Sequence, residues 1–463
     1  MAINLNNWMR KRTGILDMAP ESQSIATRFM WIQLSRIGTG SLTATFWVLF
    51  LLDELSFQEV GLLISIMMLV RMAFDYPTGA LGDWIGHKYV FLTAYILYCL
   101  ALLILLFASS FEEFVLYGVI AGIAGSQESG SLESWLDNNY RQTTVKTKFD
   151  EDRKIYGAFM GKMQIFYAII NASMFVVSGF IAAAFLRRSL FFVQFWLLLG
   201  VLVLSSFLMT NLKGDAQQKS LSSYGDQLIG GLRFASSSWG LIFFFLGSCI
   251  IWAVINCWGS LMLFPYYESY AGSDEYVGIL RSAIYLGAVG WQILAVKISK
   301  KIKTPHKGIF WCALASPGFF ALAFLYYTWF PPGGDGLVLT KYLGLIIAFQ
   351  LYGFWPALEG ILRGRLMVDL IPDNYRNSVY SLIPTITVLL NIPLMILAGY
   401  ILSTNGFTAG FYFVISGTLF GVLILGLGLY WLQKPQKSVM APLESEDQPS
   451  SAIQGASSAG SAP

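Results

Sequence analysis

Charged side chains inside long apolar stretches are the residues of this sequence that could do chemistry. Arg36, Lys162, Glu128 and Glu359 each lie within a run of about twenty mainly apolar residues. A charge at the centre of a bilayer costs about 2.5–3.5 kcal/mol even on a lenient insertion scale, so such residues face protein or a water-filled cavity. Intramembrane acids and bases bind charged solutes or relay protons. We therefore expect these residues to form a substrate or coupling site.

Two polar or aromatic residues extend this expected site. Asn256 lies between two tryptophans and offers a hydrogen-bonding amide, either to a ligand or to a neighbouring helix. Trp355 lies one turn before Glu359 on the same predicted helix and extends the expected site toward the middle of the bilayer. The predicted substrate and coupling residues are therefore Arg36, Glu128, Lys162, Asn256, Trp355 and Glu359.

Six of the charged residues in the first half should occupy one layer. With a rise of about 1.5 Å per residue, each lies roughly 6 to 14 Å from the same end of its helix. They are Arg36, Arg71, Asp75, Glu128, Glu133 and Lys162. Two interpretations stay open for this layer. It is either a self-neutralised ion-pair network that locks a gate, or a site where protonation or substrate binding drives transport.

A Gly-rich turn separates the second and third apolar runs. It reads Gly79-Ala-Leu-Gly-Asp83-Trp-Ile-Gly86-His87-Lys88, or G-x-x-x-D-x-x-G-x-K, and Asp75-Tyr-Pro-Thr precedes it. This pattern resembles the signature loop of the major facilitator superfamily, a large family of secondary transporters with twelve membrane helices. Trp84 and His87 stand where the family usually has bases.

The resemblance implies a gate built around this turn, with Asp83 paired to the start of helix 11. A stretch resembling the family's helix 4 pattern of small residues followed by acids, Ser129-Gly130 to Asp137, would contribute to it, and Lys88 and Asp137 could keep part of the salt-bridge network. The expected gate residues are Arg71, Asp75, Gly79, Asp83, Gly86, Lys88, Glu133 and Asp137.

The composition predicts that membrane helices position these residues. Only 12% of the 463 residues are charged, against about 25% in soluble domains. Twelve windows are long enough to cross a bilayer, and their backbones must satisfy their own hydrogen bonds as helices. The windows are about 28–52, 59–81, 89–110, 112–137, 155–185, 189–212, 239–265, 274–297, 308–330, 339–369, 377–402 and 406–432.

Lysine and arginine predict the orientation of these helices. The basic stretches are the N-terminal segment and the loops after helices 4 and 8, whereas the alternate loops hold only Arg187, Arg188 and Lys341. Because cytoplasmic loops carry the excess of bases, both termini should be cytoplasmic. We expect a multi-pass protein of the plasma or inner membrane, with no cleavable signal.

Repeated patterns divide the chain into two six-helix halves. Val60-Gly61 matches Val277-Gly278, and Asn171-x7-Gly179 matches Asn391-x7-Gly399. Glu128 and Glu359 form a third pair, and ordered matches of this kind indicate duplication. The expected units are a segment 1–27, a half 28–212, a linker 213–238, a half 239–432 and a disordered tail 433–463.

Other classes of protein find little support in the sequence. There is no P-loop and no G-x-S-x-G turn, so we expect no enzyme and no cofactor. Two histidines offer little for a metal site, and the four cysteines lie within apolar runs. We expect a monomer in the lipid bilayer that binds a small molecule, with protons as the coupling ion, and that does not bind nucleic acid.

The substrate stays open between two classes. Arg36, Lys162 and Arg281 could receive an oxyanion or small organic anion, and Gly353-Phe-Trp-Pro356 and Ile371-Pro372 resemble the molybdate-anion transporter group of the superfamily. Acids and abundant aromatics also suit proton-coupled export of hydrophobic compounds. We predict a secondary transporter that works by alternating access and is proton-linked. The alternatives are anion uptake and a non-transporting sensor on the same fold.

Overall fold

The computed structural model describes residues 2–210, 229–332 and 338–433, with a few side chains inside these ranges excepted. All elements in these ranges are helical. The predicted tail 433–463 lies outside them except for its first residue. Of the predicted linker 213–238, only 229–238 is described, and 229–235 is helical.

Helices 1 to 6 form the N-terminal half. A short N-terminal helix, Ala2–Thr13, precedes them. Helix 1 comprises Pro20–Ala44 and Trp47–Glu54, and helix 4 comprises Phe111–Glu128 and Ser131–Thr147. The others are helix 2 (Phe57–Ile85), helix 3 (His87–Phe107), helix 5 (Lys154–Ala184) and helix 6 (Arg188–Leu208).

Helices 7 to 12 form the C-terminal half. Helix 7 runs through Trp239–Cys257, a π-helical turn Trp258–Met262 and Leu263–Ala271. Helix 8 is Asp274–Ser299, helix 9 is Pro305–Trp329 and helix 10 is Val338–Leu370. Helices 11 and 12 are the two parts of Asp373–Gln433 on either side of Gly406, whose φ of 68° and ψ of −168° interrupt the helix.

Local sequence signals explain several helix starts. Pro20 occupies the first turn of helix 1, where its missing N–H costs nothing. Ser56 with Glu59, and Ser110 with Glu113, form capping boxes that start helices 2 and 4. Helix 1 begins before the predicted residue 28. Helix 4 breaks inside its predicted span and continues beyond residue 137 to Thr147.

Eight stretches of the described residues are long and apolar enough to cross a membrane. They are Phe57–Asp75, His87–Phe107, Lys154–Ala184, Arg188–Leu208, Trp239–Ala271, Asp274–Ser299, Pro305–Trp329 and Ser378–Gln433. Helices 1, 4 and 10 fall outside this set. These three carry Arg36, Glu128 and Glu359, so the most polar helices are the ones expected to face the interior.

The two halves meet through helix 2 against helix 11 and helix 5 against helix 8. A Cβ added to Gly61 would lie 2.7 Å from the carbonyl oxygen of Met395 and 3.1 Å from the Cα of Gly399. A Cβ on Gly179 would lie 2.8 Å from the carbonyl oxygen of Asp274. Only glycine permits these backbones to approach so closely. All four helices touch at the end of the bundle opposite the termini, which we call the distal end.

The glycine contacts between the halves do not extend to the other end, which carries both termini and which we call the terminal end. A Cβ added to Gly79, Gly157, Gly290 or Gly364 would meet no atom within 4 Å. Phe74, in the terminal part of helix 2, is 41% exposed. Among the described residues, the close backbone contacts between the halves therefore lie at the distal end.

Candidate functional site

Arg36 of helix 1 is the centre of an ion-pair network in the N-terminal half. Its Nη1 donates to Glu128 Oε1 at 2.7 Å, and its Nη2 lies 3.3 Å from Glu133 Oε1. Its Nε donates to Gln33 Oε1 at 2.8 Å. The side chains of Arg36 and Glu128 are each 22% exposed, so the pair is largely shielded from solvent.

The break in helix 4 lets two acids share this one base. In a continuous helix, residues five apart point about 140° away from each other. Gly130, at φ 71°, adopts a left-handed conformation that favours glycine and restarts the helix at Ser131. Glu128 ends the first segment and Glu133 lies in the first turn of the second, so both reach Arg36.

Helices 2 and 3 extend the network. The hydroxyl of Tyr98 donates to Glu128 Oε2 at 3.0 Å. Asp75 interacts electrostatically with Arg71 and with the nearby Ser129 hydroxyl. The absence of a side chain at Gly125 makes room for Tyr98 and Arg71, because a Cβ there would lie 3.3 Å from the Tyr98 hydroxyl and 3.7 Å from Arg71 Cδ.

A cavity of about 380 Å³ lies between the halves, next to this network. We call it the central cavity. Residues of helices 1, 4, 5 and 8 line it. They are Arg36, Ile37, Gly40, Ser41, Ala44, Glu128, Asn171, Phe175, Arg281 and Tyr285.

Arg281 is the base that the C-terminal half contributes to the central cavity. Its guanidinium carbon lies 4.0 Å from the ring centroid of Phe175 and 4.4 Å from that of Phe264. Its Nη1 donates to Thr45 Oγ1 at 2.9 Å, at the break in helix 1. No carboxylate of the described residues forms an ion pair with it, whereas Arg36 has two.

Neutral polar groups line the rest of the central cavity. Asn171 Nδ2 donates to the Tyr285 hydroxyl at 2.9 Å, and Ser41 donates to Asn171 Oδ1. This chain of hydrogen bonds joins helices 1, 5 and 8 across the two halves. The cavity therefore has a cationic wall at Arg281, a paired ionic wall at Arg36 and hydroxyl and amide groups between them.

Glu359 lies inside the C-terminal half and does not line the central cavity. It is 8% exposed and 3.5 Å from Arg363, one turn along helix 10. Arg363 stacks over Trp252 at 5.4 Å from the ring centroid. The pocket around Glu359 has a volume of only about 20 Å³, against about 380 Å³ for the central cavity.

The other three predicted substrate residues lie apart from Arg36. Asn256 and Trp355 are exposed, and neither lines the central cavity. Lys162 faces the turn after the N-terminal helix, because a Cβ on Gly14 would lie 2.6 Å from Lys162 Nζ. Of the six predicted substrate and coupling residues, the structure therefore brings together Arg36 and Glu128 at the central cavity.

Of the predicted gate residues, Glu133, Asp75 and Arg71 belong to the Arg36 network, whereas others form separate local contacts at the terminal end. Asp137 Oδ1 pairs with Arg153 at 2.5 Å, and Lys88 Nζ donates to the carbonyl of Ser206 at 2.9 Å. Lys88 and Asp137 therefore do not pair with each other. Gly86, at φ 100°, forms the turn between helices 2 and 3. The side chain of Asp83 lies outside the described residues.

A cluster of charges at the distal end was not predicted from the sequence. Arg187, between helices 5 and 6, binds Asp274 Oδ1 at 2.7 Å, Asp53 Oδ1 at 2.9 Å and the carboxylate of Glu268. Burial lowers the pKa of Arg187, but these carboxylates outweigh that effect and raise it above its ordinary value. Burial raises the pKa of Asp53, against the opposing effect of Arg187. Arg187 and Arg188 were notable in the sequence only as exceptions in loops poor in bases.

Comparisons with known proteins agree with this architecture. The solved structure of the nucleoside transporter NupG has a TM-score of 0.69 at 14% identity, covering 88% of this chain and 99% of that one. A bacterial homologue of the iron transporter ferroportin, in an inward-facing state, has a TM-score of 0.63 at 15% identity and covers 88% and 98%. A D-xylose–proton symporter has a TM-score of 0.60 at 16% identity and covers 89% and 97%. At these identities the likeness shows a shared fold.

A comparison with curated protein sequences gives no match. The family model of the Major Facilitator Superfamily, however, matches residues 30–383, which is most of the chain. The match confirms the predicted fold class of two six-helix halves and the expectation of a transporter rather than an enzyme. This chain belongs to the Major Facilitator Superfamily.

Proposed function

We propose that this transporter carries a small anionic solute through the central cavity and couples its movement to protons at Glu128. The observation that carries the proposal is Arg281. Its guanidinium lies at the cavity between the halves, where no carboxylate of the described residues neutralises it.

The surroundings of Arg281 suit a carboxylate or oxyanion. A guanidinium has five N–H donors in a planar fork that matches such anions. One nitrogen already donates to Thr45, and the Phe175 and Phe264 rings hold the plane of the group. The remaining donors, together with the Tyr285 hydroxyl, can bind the oxygens of a solute.

The Arg36 network supplies a group that can exchange a proton. One guanidinium faces two carboxylates, Glu128 and Glu133, so the fully ionised set has a formal charge of −1. A single proton makes the set neutral. Because Glu128 lines the same cavity as Arg281, its charge can influence an anion bound there.

The conformation supports transport by rocking of the two halves. The glycine contacts close the distal end, and the described glycines at the terminal end make no such contact. If the termini are cytoplasmic, as the distribution of bases predicts, the closed distal end faces away from the cytoplasm, as in an inward-facing state. Motion of one half against the other around a fixed site is the usual mechanism of such folds.

A thermal-shift screen of the purified protein tests substrate class. A ligand at about 100 times its dissociation constant stabilises the folded state by about 2.7 kcal/mol. We expect stabilisation by oxyanions or small carboxylates and none by neutral sugars or nucleosides. Arg281→Gln should abolish that shift, whereas Arg188→Gln, a base outside the cavity, should keep it. A shift that survives in Arg281→Gln would refute the assignment.

Transport by vesicles containing the protein tests the coupling. Glu128→Gln should bind the anion but lose its dependence on a pH gradient, because the amide cannot take up a proton. Unchanged dependence on the gradient would remove Glu128 from the mechanism. Binding and coupling are thus tested by different residues and different measurements.

A further inference from the structure

A second cavity, of about 340 Å³, lies inside the N-terminal half. We call it the N-half cavity. Helices 1, 2, 3, 4 and 6 supply nearly all of its lining, and helix 7 adds Ser260. It shares no lining residue with the central cavity. Its volume is within the range of small-molecule sites, about 300–1,000 Å³, and is more than twice that of a cavity that holds benzene.

One part of the N-half cavity is apolar. Met67 and Met68 of helix 2, Leu102 of helix 3, and Phe191 and Leu198 of helix 6 line it. Methionine side chains adapt to ligands of different shape because they are unbranched and polarisable. This wall suits an aliphatic or aromatic body.

The other part is cationic. Arg71 lines the N-half cavity together with Tyr98, and both side chains lie close to Gly125, which has no side chain. No carboxylate of the described residues forms an ion pair with Arg71. Asp75, one helical turn away, interacts with Arg71 only electrostatically. The donors of Arg71 are therefore available to a bound anion.

We propose that the N-half cavity binds a small amphipathic anion. Its carboxylate or similar group binds Arg71 and Tyr98, and its apolar body lies against the methionines and the residues of helices 3 and 6. This site is separate from the anion site at Arg281, and its existence does not depend on the function proposed above.

The bound anion would also affect the coupling residues. The Tyr98 hydroxyl donates its only proton to Glu128 Oε2, at 3.0 Å. An anion that accepts the hydrogen bond of the Tyr98 hydroxyl in place of Glu128 leaves Glu128 with one hydrogen bond fewer. The ligand therefore acts as a regulator of the Arg36–Glu128 pair, and this second step rests on the proposed role of Glu128.

Trp47 offers a direct test, because it lines the N-half cavity. Bromine quenches indole fluorescence on contact, so bromo-octanoate bound in the cavity should quench Trp47. The experiment uses the purified full-length chain in an uncharged detergent. Because the chain has 14 tryptophans, the readout is the saturable part of the quenching. We expect that part to be lost in Trp47→Phe, and its midpoint concentration to rise about tenfold or more in Arg71→Gln. Arg281→Gln should leave it unchanged.

Two controls separate the charge from the cavity. Bromo-octanol has the same body without the anion, and we expect it to bind about tenfold or more weakly. Ala121→Phe fills the cavity from helix 4 and should abolish quenching even if Arg71→Gln does not fold.

Three results would overturn the proposal: no saturable quenching, saturable quenching that persists in Trp47→Phe, or equal binding of the acid and the alcohol. Failure of the anion to bind at Arg281 would leave the expected result here unchanged, so the two proposals can fail separately.

Discussion

Removing Arg187 should open the distal end. Arg187 belongs to the N-terminal half, and two of its partners, Asp274 and Glu268, belong to the C-terminal half. In Arg187→Gln these carboxylates and Asp53 face each other without a cation. The closed distal end then loses its ion pairs between the halves and gains repulsion among like charges. We therefore expect the population to shift toward the state open at the distal end.

The size of the shift follows from the exposure of each pair. Arg187 and Asp274 are each 14% exposed and share three hydrogen bonds, at 2.7, 3.0 and 3.3 Å. Truncating one partner of a buried, hydrogen-bonded charge pair costs about 2–5 kcal/mol, and partial exposure places this pair near the lower end. Glu268 is 38% exposed, so its pair adds no more than about 0.5 kcal/mol. A total near 2.5 kcal/mol corresponds to a shift between about tenfold and 100-fold.

Spin labels across the distal end would measure this shift. Glu112→Cys and Ser403→Cys place labels on exposed positions of opposite halves, and the four native cysteines are buried. We expect a longer-distance population to grow in Arg187→Gln. The matched control is Arg188→Gln, whose partner Glu54 lies in the same half at 3.1 Å. An unchanged distance distribution in Arg187→Gln, or an equal change in Arg188→Gln, would refute the reasoning.

Two further predictions concern backbone contacts. Gly61→Ala should also disfavour closure of the distal end in the same label experiment, because the added Cβ would lie 2.7 Å from the Met395 carbonyl oxygen. The control is Gly79→Ala, whose Cβ would meet no atom within 4 Å. Asp150→Asn should lower the melting temperature at neutral pH, since Asp150 accepts hydrogen bonds from the backbone N–H groups of Ile155 and Tyr156 at 2.9 Å and caps helix 5. Burial raises the pKa of Asp150, but these bonds and one from Tyr140 outweigh that effect and leave it below its ordinary value. The stabilisation by ionised Asp150 is therefore present above the unfolded-state pKa of about 3.9 and is lost as the pH falls through the lower folded-state value. The melting temperatures of the wild-type protein and Asp150→Asn should therefore converge in acid.

The sequence was informative where a short pattern had one physical explanation. Gly61 and Gly278 begin helices of the two halves, and Gly399 and Gly179 end others, at matching positions of the repeat. The structure pairs Gly61 with Gly399 and Gly179 with Gly278. A duplicated chain has two equivalent contacts between its halves, and small residues are needed where helices cross closely. The repeat therefore anticipated the contacts, although the sequence could not say at which end the halves would touch.

The sequence was less informative about which charges meet. Depth along a helix placed Lys162 beside Arg36, but depth does not specify the direction in which a side chain points. Lys162 faces Gly14, in the turn after the N-terminal helix, and the apolar pattern of the membrane helices does not predict this turn. Glu133 reaches Arg36 only because Gly130 breaks helix 4. Arg187 collects its partners from three separate segments of the chain, and such contacts leave no periodic signal.

The two acids that seemed equivalent in the repeat have different surroundings, and the difference bears on mechanism. Glu128 and Glu359 are offset by 231 positions, whereas the glycine and asparagine pairs are offset by 217 and 220. Glu359 has a base on its own helix and a pocket too small for a solute. Glu128 has its base on another helix, shares it with Glu133 and lies at a cavity. A proton on Glu128 can therefore change contacts between helices 1 and 4, whereas a proton on Glu359 changes a contact within helix 10. Coupling should accordingly depend on the N-terminal half, and Glu359→Gln should leave the dependence on a pH gradient intact.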